Sequence, residues 1–215
     1  MAVKPPANYR QRQAQATRER IAIAARALFA DRGYVSTTVE AIAGRAGVAV
    51  PTVYGAFGSK SGILAEIRRL WLQEAGVLPL VAEALAEPDY DRRLELAARW
   101  HRQQMETGYD VISIHKQAQL IDPAAAESRK KALRAREREI RKFIEALEPG
   151  LRSGLDVQAA LDIWVALEHE GIYQELVLNR GWHADRYERW LGATLKHQLL
   201  GSTAEPSSAE ASGQP

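Results

Sequence analysis

The stretch GVAVPTVYGAFGSK, from Gly47 to Lys60, decides how the fold of this chain is predicted. Its Gly-Ser-Lys end is similar to a phosphate-binding loop, but that loop places the lysine directly after the second glycine and follows a β-strand. Here Ser59 separates the glycine from the lysine, no glycine occupies the first position of the motif, and the preceding TTVEAIAGRA has no two-residue alternation. Pro51 is instead typical of a first helical turn, so we predict a short helix over about residues 50–57.

The residues before this stretch predict two more helices. The first begins near Thr17 and ends at Gly33, a residue typical of the position just after a helix. Thr37 and Glu40 form a capping box that begins the second helix, which ends at Gly47. Two helices joined by a short glycine turn form a helix-turn-helix, whose second helix reads base edges in a DNA major groove. The apolar face of the first helix has helical spacing and consists of Ile21, Ala24, Ala25, Leu28 and Phe29.

Charge is unevenly distributed along the chain. Residues 1–70 carry 11 Lys+Arg and 4 Asp+Glu, which is +7, whereas residues 71–215 carry 18 and 23, which is −5. This asymmetry indicates a basic N-terminal part that meets a polyanion, although a merely solvated basic tail remains an alternative. The absence of cysteine excludes disulfides and thiolate metal sites. The polar, basic start lacks an apolar signal region and no apolar run is long enough to span a bilayer, so we predict a cytoplasmic protein without a membrane partner.

The rest of the chain is also helical in pattern, because alternating β-branched runs are absent. Residues 1–16 lack apolar periodicity and are predicted to be a flexible basic arm, and the low-complexity residues 201–215 a disordered tail. The predicted helices after the helix-turn-helix begin with one that runs from about Ser59 towards Ala75, followed by segments at 76–86, 91–107, 109–120, 124–147, 156–179 and 184–200.

Residues Thr17 to Leu64 resemble, without a gap, the DNA-binding domain of the TetR family of bacterial transcriptional regulators. The remaining residues match that family only in their helical pattern. The resemblance implies an all-α fold, with a three-helix DNA-binding domain at 17–62 and a larger helical ligand-binding and dimerisation domain at 63–200. The matching positions are Ala24-Ala25, Leu28-Phe29, Gly33-Tyr34, Thr37-Thr38, Ile42-Ala43, Ala46-Gly47-Val48, Thr52-Val53-Tyr54, Phe57 and Ser59-Lys60.

The resemblance also implies which residues contact DNA. Gly55 and Ala56 replace a bulkier pair, so we expect direct reading of bases through this helix to be limited, and Ala49 is a poor helix cap. Arg45 and the arginines of the arm, Arg10, Arg12, Arg18 and Arg20, are further candidates, for which a solvated role remains open. The residues implied to hold the DNA backbone are Thr37, Thr38, Tyr54 and Lys60. Those implied to lie at the bases are Val50, Pro51 and Thr52, and Gly55 is included among the DNA-binding residues.

In the second domain, the resemblance implies a dimer interface and a ligand pocket, although packing into the chain's own core remains open for each residue. The pocket would take a small, largely apolar or aromatic organic effector with one polar end. The implied interface, in which two helices pair with those of a second subunit, comprises Leu161, Val165, Ile172, Leu176, Tyr187, Trp190, Leu191, Thr194, Leu195 and Gln198. The pocket candidates are Trp100, Met105, Tyr109, His115, Trp164, His169 and Tyr173.

These patterns predict a homodimeric, ligand-responsive regulator that binds operator DNA, and specifically a repressor that a small effector releases. A zinc motif starting at His169 would need a second histidine where Tyr173 stands, so no metal and no other cofactor is predicted. Two alternatives remain: a DNA-binding or partner-binding protein without a ligand, and an enzyme with a helical C-terminal domain. No triad spacing, metal motif or nucleotide loop supports the enzyme.

Overall fold

The structure, a computed structural model, describes residues 7–201 and is all-helical there apart from one isolated bridge between Leu151 and Leu200. The predicted all-α class is therefore confirmed. No helix in this part of the chain is long and apolar enough to cross a membrane. The ten α-helices of the described residues are α1 (Ala7–Arg32), α2 (Val39–Ala46), α3 (Val50–Phe57), α4 (Lys60–Glu74), α5 (Val77–Ala86), α6 (Tyr90–Gln119), α7 (Pro123–Glu145), α8 (Val157–Leu167), α9 (Glu170–Tyr173) and α10 (Ala184–Leu199).

The first helix begins at Ala7 rather than near Thr17. Residues 7–16, predicted to be part of a flexible arm, belong to this helix, while residues 1–6 and the predicted tail after residue 201 lie outside the described residues. Gln, Ala and Arg are good helix formers, and side chains four residues apart support each other here. Gln15 Nε2, for example, donates to Glu19 Oε1 at 2.8 Å. The apolar pattern did not show this extension because the side chains of residues 9–16 are exposed.

The described residues form two compact units. One comprises residues 7–80 and 102–138, and the other comprises residues 81–101 and 139–201. This division differs from the predicted domain boundary between residues 62 and 63, because the first unit also contains segments of α6 and α7. The functional boundary stays a prediction.

In the first unit, α2 and α3 pack with α1 and α4 around an apolar core. The turn between α2 and α3 depends on Gly47, which has φ 64 and closes α2 in the left-handed conformation that glycine adopts without a Cβ clash. The cap of α2 lies one residue later than predicted. Thr38, not Thr37, accepts a hydrogen bond from the Ala41 amide at 3.2 Å. The Thr37 hydroxyl instead donates to the Gly33 carbonyl at 2.8 Å and is buried.

A second tight turn joins α3 to α4. Ser59 caps α4 by accepting a hydrogen bond from the Gly62 amide at 3.1 Å. A Cβ at Gly62 would lie 2.1 Å from the Phe57 carbonyl oxygen, so this turn requires glycine there. A similar close approach occurs in α6, which is one helix kinked at Gly108 rather than the two predicted helices. The indole of Trp71 lies in the position that a Cβ at 108 would occupy.

The second unit has an aromatic core. The rings of Trp100, Phe143 and Trp164 pack with centroid distances of 5.2 to 5.9 Å. The helix predicted over residues 156–179 is interrupted, because His169 has ψ 129 and leaves the helical conformation. After the short α9, residues Gln174–Asn179 form a π-helix. α10 then packs against α8.

Glycine substitutions distinguish the tight α3–α4 turn from the open face of α3. We expect Gly62→Ala to lower the free energy of unfolding by about 2 to 3 kcal/mol, because its Cβ has no space. The matched control is Gly55→Ala, where no atom lies within 4 Å of the added Cβ, and helix propensity should raise stability by up to about 1 kcal/mol. Urea denaturation followed by circular dichroism measures both, and equal effects would contradict the packing described for the turn.

Candidate nucleic-acid interface

The third helix has one buried side and one exposed side. Val53 is buried against the core, with half-buried Phe57 one turn later. Pro51, Thr52 and Tyr54 are exposed, and the Tyr54 side chain retains 47% of its accessible surface. The exposed side therefore offers one hydroxyl, one phenol and little else, on a helix narrow enough to enter a major groove.

Small residues make this exposed side shallow. Gly55 is exposed and has no atom within 4 Å of where a Cβ would lie. The α3 backbone can thus approach a DNA surface closely at this point. That few long side chains of this helix reach base edges stays a prediction.

Arg18 fixes α3 from behind. Its guanidinium donates to the Ala56 carbonyl at the end of α3 and lies 4.2 Å above the centre of the Phe57 ring. The same group lies 3.8 Å from the Glu66 carboxylate of α4. Arg18 was predicted to be an arm residue near DNA, but it joins α1, α3 and α4 inside the unit.

The carboxylate of Glu66 completes this arrangement. Although burial raises its pKa, hydrogen bonds from Arg69 and Gln15 hold the pKa of Glu66 below its usual value. Arg69 Nη2 donates to Glu66 Oε1 at 2.8 Å, and Gln15 Nε2 donates to the same oxygen at 3.1 Å. Glu66 is therefore an anion held by donors from α1 and α4. Apart from its apolar neighbours, nothing in the sequence indicated that this carboxylate is buried.

The ammonium of Lys60 is also turned inward, and its predicted contact with DNA phosphate stays a prediction. Nζ donates to the Tyr34 carbonyl at 2.7 Å and to the Thr37 carbonyl at 3.0 Å. It lies 4.3 Å from the centre of the Tyr34 ring. Burial lowers the pKa of Lys60, but two carbonyl acceptors and an aromatic face favour the charged form. Lys60 thus holds the α1–α2 loop against the start of α4.

Tyr34 connects the same loop to α7. Its hydroxyl donates to Asp122 Oδ2 at 2.9 Å, while Asp122 Oδ1 accepts from the amides of Ala124 and Ala125 at 2.9 and 3.1 Å. Burial and the bond to this carboxylate raise the pKa of Tyr34. The Asp-Pro pair at residues 122 and 123 is a typical helix start, so a cap at Asp122 could have been read from the sequence.

The other predicted DNA contacts divide by exposure. Thr37 is buried and bonded to carbonyls, so its side chain does not reach the surface and that prediction is corrected. Thr38 and Arg45 are exposed, and Val50 is half-buried against the core. The exposed side chains of this surface are Thr38, Arg45, Pro51, Thr52 and Tyr54, with Arg10, Arg12 and Arg20 exposed on α1.

The residues predicted for a dimer interface are only partly available. Four of them are buried in the core of the chain itself, because α8 and α10 each use one side to pack inward, and for these four the prediction is corrected. The buried residues are Leu161, Tyr187, Leu191 and Leu195. Those that keep accessible surface are Val165, Ile172, Leu176, Trp190, Thr194 and Gln198.

The predicted ligand residues belong to both compact units. Trp100 and Trp164 contact each other in the aromatic core of the second unit, where Tyr173 is also buried. The ring of His169 is exposed and caps α9 by accepting from the Gly171 amide at 3.1 Å, and its contact with a ligand stays a prediction. In the first unit, Met105 and His115 are buried and Tyr109 is half-buried.

Two surface clefts occur elsewhere. One, of about 410 Å³, lies between α6 and α10 and is lined by charged residues that include Arg99 and Arg189. The other, of about 400 Å³, lies between α1 and α4. Neither is lined by a predicted ligand residue. Within residues 7–201, no three His, Asp or Glu side chains are arranged to hold a metal ion.

Comparison with known proteins identifies the helix-turn-helix. Residues 21–67 match the family described as bacterial regulatory proteins, tetR family. This chain carries a TetR-family DNA-binding domain. No match was found among curated proteins.

Solved structures share the fold over most of the chain. The TetR-family regulator PfmR from Thermus thermophilus is 26% identical, with a TM-score of 0.60 over 86% of this chain and 99% of its own. A structure from Saccharomonospora viridis, described as a transcriptional regulator in complex with choline, is 23% identical, with a TM-score of 0.67 over 86% and 98%. FadR from Bacillus subtilis, in complex with stearoyl-CoA, is 19% identical, with a TM-score of 0.66 over 82% and 96%.

Two basic residues of the TetR-family domain should behave differently when their charge is removed. Lys60→Met should lower the free energy of unfolding by about 1 to 2 kcal/mol, because two carbonyls lose a charged donor. It should leave the slope of log K against log salt unchanged for DNA binding. Arg45→Gln should leave stability within about 0.5 kcal/mol but reduce that slope by about 0.9, as one phosphate contact requires.

Chemical denaturation and fluorescence titration of labelled DNA at several salt concentrations measure these quantities. A Lys60→Met protein of normal stability and reduced slope would show instead that the ammonium leaves the loop to bind phosphate.

Proposed function

We propose that this chain is a homodimeric regulator that binds operator DNA through α3, represses transcription, and is released by a small organic effector. The observation that carries this proposal is the exposed side of α3, held from behind by Arg18 in a TetR-family domain. A regulator of this kind works in the cytoplasm, where the bacterial DNA lies.

In the proposed complex, the N-terminal part of α3 enters the major groove. Pro51 offers apolar contact to a thymine methyl, and the Thr52 hydroxyl can bond to either kind of base edge. Tyr54, Thr38 and Arg45 bind the DNA backbone, which fixes position and register without reading sequence. The open space at Gly55 lets the helix backbone come close to the bases.

Dimerisation follows from the way such a domain reads DNA. One α3 covers a few base pairs, and two related by a twofold axis read an inverted repeat one helical turn apart. The accessible parts of α8 and α10, which include the exposed Val165 and the half-buried Trp190, are proposed as the dimer surface.

Response to an effector is supported by the solved relatives, whose complexes contain choline and stearoyl-CoA. These two ligands have different chemistry, so neither is transferred to this chain. An effector acts only by binding more tightly to a form of the dimer that does not fit the operator.

Selection of binding sequences from a random DNA library tests the proposal. We expect an inverted repeat whose half-sites lie about 10 base pairs, or a multiple of that, apart. Thr52→Ala should reduce the preference at one position of each half-site by about 1 to 3 kcal/mol, because it removes a base contact. Tyr54→Phe, the matched control, should weaken binding to selected and random DNA equally, because it removes a backbone contact.

A selection that enriches no common sequence would contradict the proposed function. Equal weakening of all sequences by Thr52→Ala would remove that residue from base recognition.

A further inference from the structure

Four buried polar or aromatic side chains meet in the interior of the second unit. They come from different helices: His101 from α6, Glu168 from the end of α8, Tyr173 from α9 and Tyr187 from α10. The side chains of His101 and Glu168 are fully buried, with His101 Nδ1 3.5 Å from Glu168 Oε1. The Tyr187 ring centre lies 5.1 Å from that of Tyr173 and 6.1 Å from that of His101. We call these four residues the buried cluster.

The chemistry of the buried cluster is unusual for a structural core. A buried carboxylate is costly unless a positive group compensates it, and a hydrophobic residue of similar size would pack there at lower cost. Within the described residues, the Tyr187 hydroxyl and the Trp164 indole nitrogen are buried and have no hydrogen-bond partner. Trp164 lies one turn before Glu168 on the same face of α8. Burial and the charge of Glu168 both raise the pKa of Tyr187.

The backbone at Glu168 is interrupted in the same place. α8 ends at Leu167, His169 is extended, and after four residues of α9 the chain forms the π-helix Gln174–Asn179. Short π-helical segments within helices are frequent at functional sites. The break leaves Glu168 at the C-terminal end of α8, where the helix dipole adds negative potential to its carboxylate.

We propose that the buried cluster binds a small organic cation, a quaternary or tertiary ammonium. The Glu168 carboxylate supplies the opposite charge. The rings of Tyr173 and Tyr187 supply faces that attract a cation, as aromatic cages do for quaternary ammonium groups. The Tyr187 hydroxyl is placed to bond to a polar group of the same ligand.

This proposal deepens the effector response stated above and rests on it. In the unliganded state His101 Nδ1 lies 3.5 Å from Glu168 Oε1, and in the proposed complex the ligand cation lies beside the carboxylate with His101 neutral. Because the rings are in contact here, the ligand enters when a tyrosine ring turns aside. Tyr173 is suited to this movement, because it lies on a four-residue helix between the break and the π-helix. An anionic ligand would be repelled by the carboxylate, and a neutral ligand would not be attracted to it by charge.

The test uses the full-length protein and compares a pair of ligands that differ in charge alone with cations of other sizes. Choline and its neutral isostere 3,3-dimethylbutan-1-ol have the same shape, and tetraethylammonium and benzyltrimethylammonium extend the range of cation sizes. Thermal unfolding and isothermal titration calorimetry measure binding. We expect at least one of the three cations to raise the unfolding midpoint in a dose-dependent way, because it binds only the folded state. The neutral isostere should bind at least tenfold more weakly than choline.

Variants assign the binding to the buried cluster. Glu168→Gln keeps the size of the side chain and should weaken the bound cation at least tenfold. Glu175→Gln is the matched control, because it removes an exposed carboxylate of the nearby π-helix and should leave binding unchanged. Tyr187→Phe retains the ring and should keep the fold and most of the cation affinity. It therefore provides a second variant if Glu168→Gln does not fold.

Three results would overturn the proposal: no shift with any cation, equal binding of choline and its isostere, or wild-type affinity in Glu168→Gln. If Glu168→Gln does not fold, complete loss of cation binding in a folded Tyr187→Phe protein would also overturn it, because the carboxylate and both rings are still present. Operator release is measured separately. Cation binding without operator release would leave the buried cluster as a cation site and contradict effector control. Release by neutral or anionic compounds alone would keep the proposed function and contradict a cation site.

Discussion

A helix of eight residues is not stable in water by itself, and this constraint governs the first compact unit. α3 has that length, begins without a side-chain cap and ends at a glycine. Its position therefore depends on what lies behind it: the buried Val53, the ring of Phe57 and the guanidinium of Arg18. Basic residues that the sequence would assign to DNA, such as Arg18 and Lys60, hold the domain together instead, and the exposed side of α3 is left to small and polar groups.

The local signals in the sequence predicted the helix-turn-helix well. The Gly47 turn, the bounds of α3 and the core side of α1 follow from glycine, proline and helical spacing, and each is determined within a few residues of the chain. The start of α1 could not be found this way. Residues 9–16 bury no apolar face, so their helical state rests on propensity and on exposed side-chain pairs.

Residue type alone could not predict whether a side chain points inward or towards solvent. Lys60 and Thr37 are suited to phosphate by their chemistry, but backbone carbonyls bring both inward. On α10 the predicted apolar face was wide, and the sequence could not tell which half packs against the chain's own core. The break in the helix at His169 was missed because the residue at this position is neither proline nor glycine. The burial of Glu168 was missed with it, because Glu168 lies at the end of α8 that the break creates. Long-range contacts decide all of these features.

A DNA-reading helix usually has to pack against its own domain and contact the bases, and the open space at Gly55 separates these two requirements. The groups that hold α3 in place all lie on its other side, so position 55 can take a larger side chain without cost to packing. On the proposed function, one nucleotide change at this codon after gene duplication gives a copy a new set of DNA binding sites while its fold stays the same. The same position is a natural starting point for designing a regulator with an altered operator.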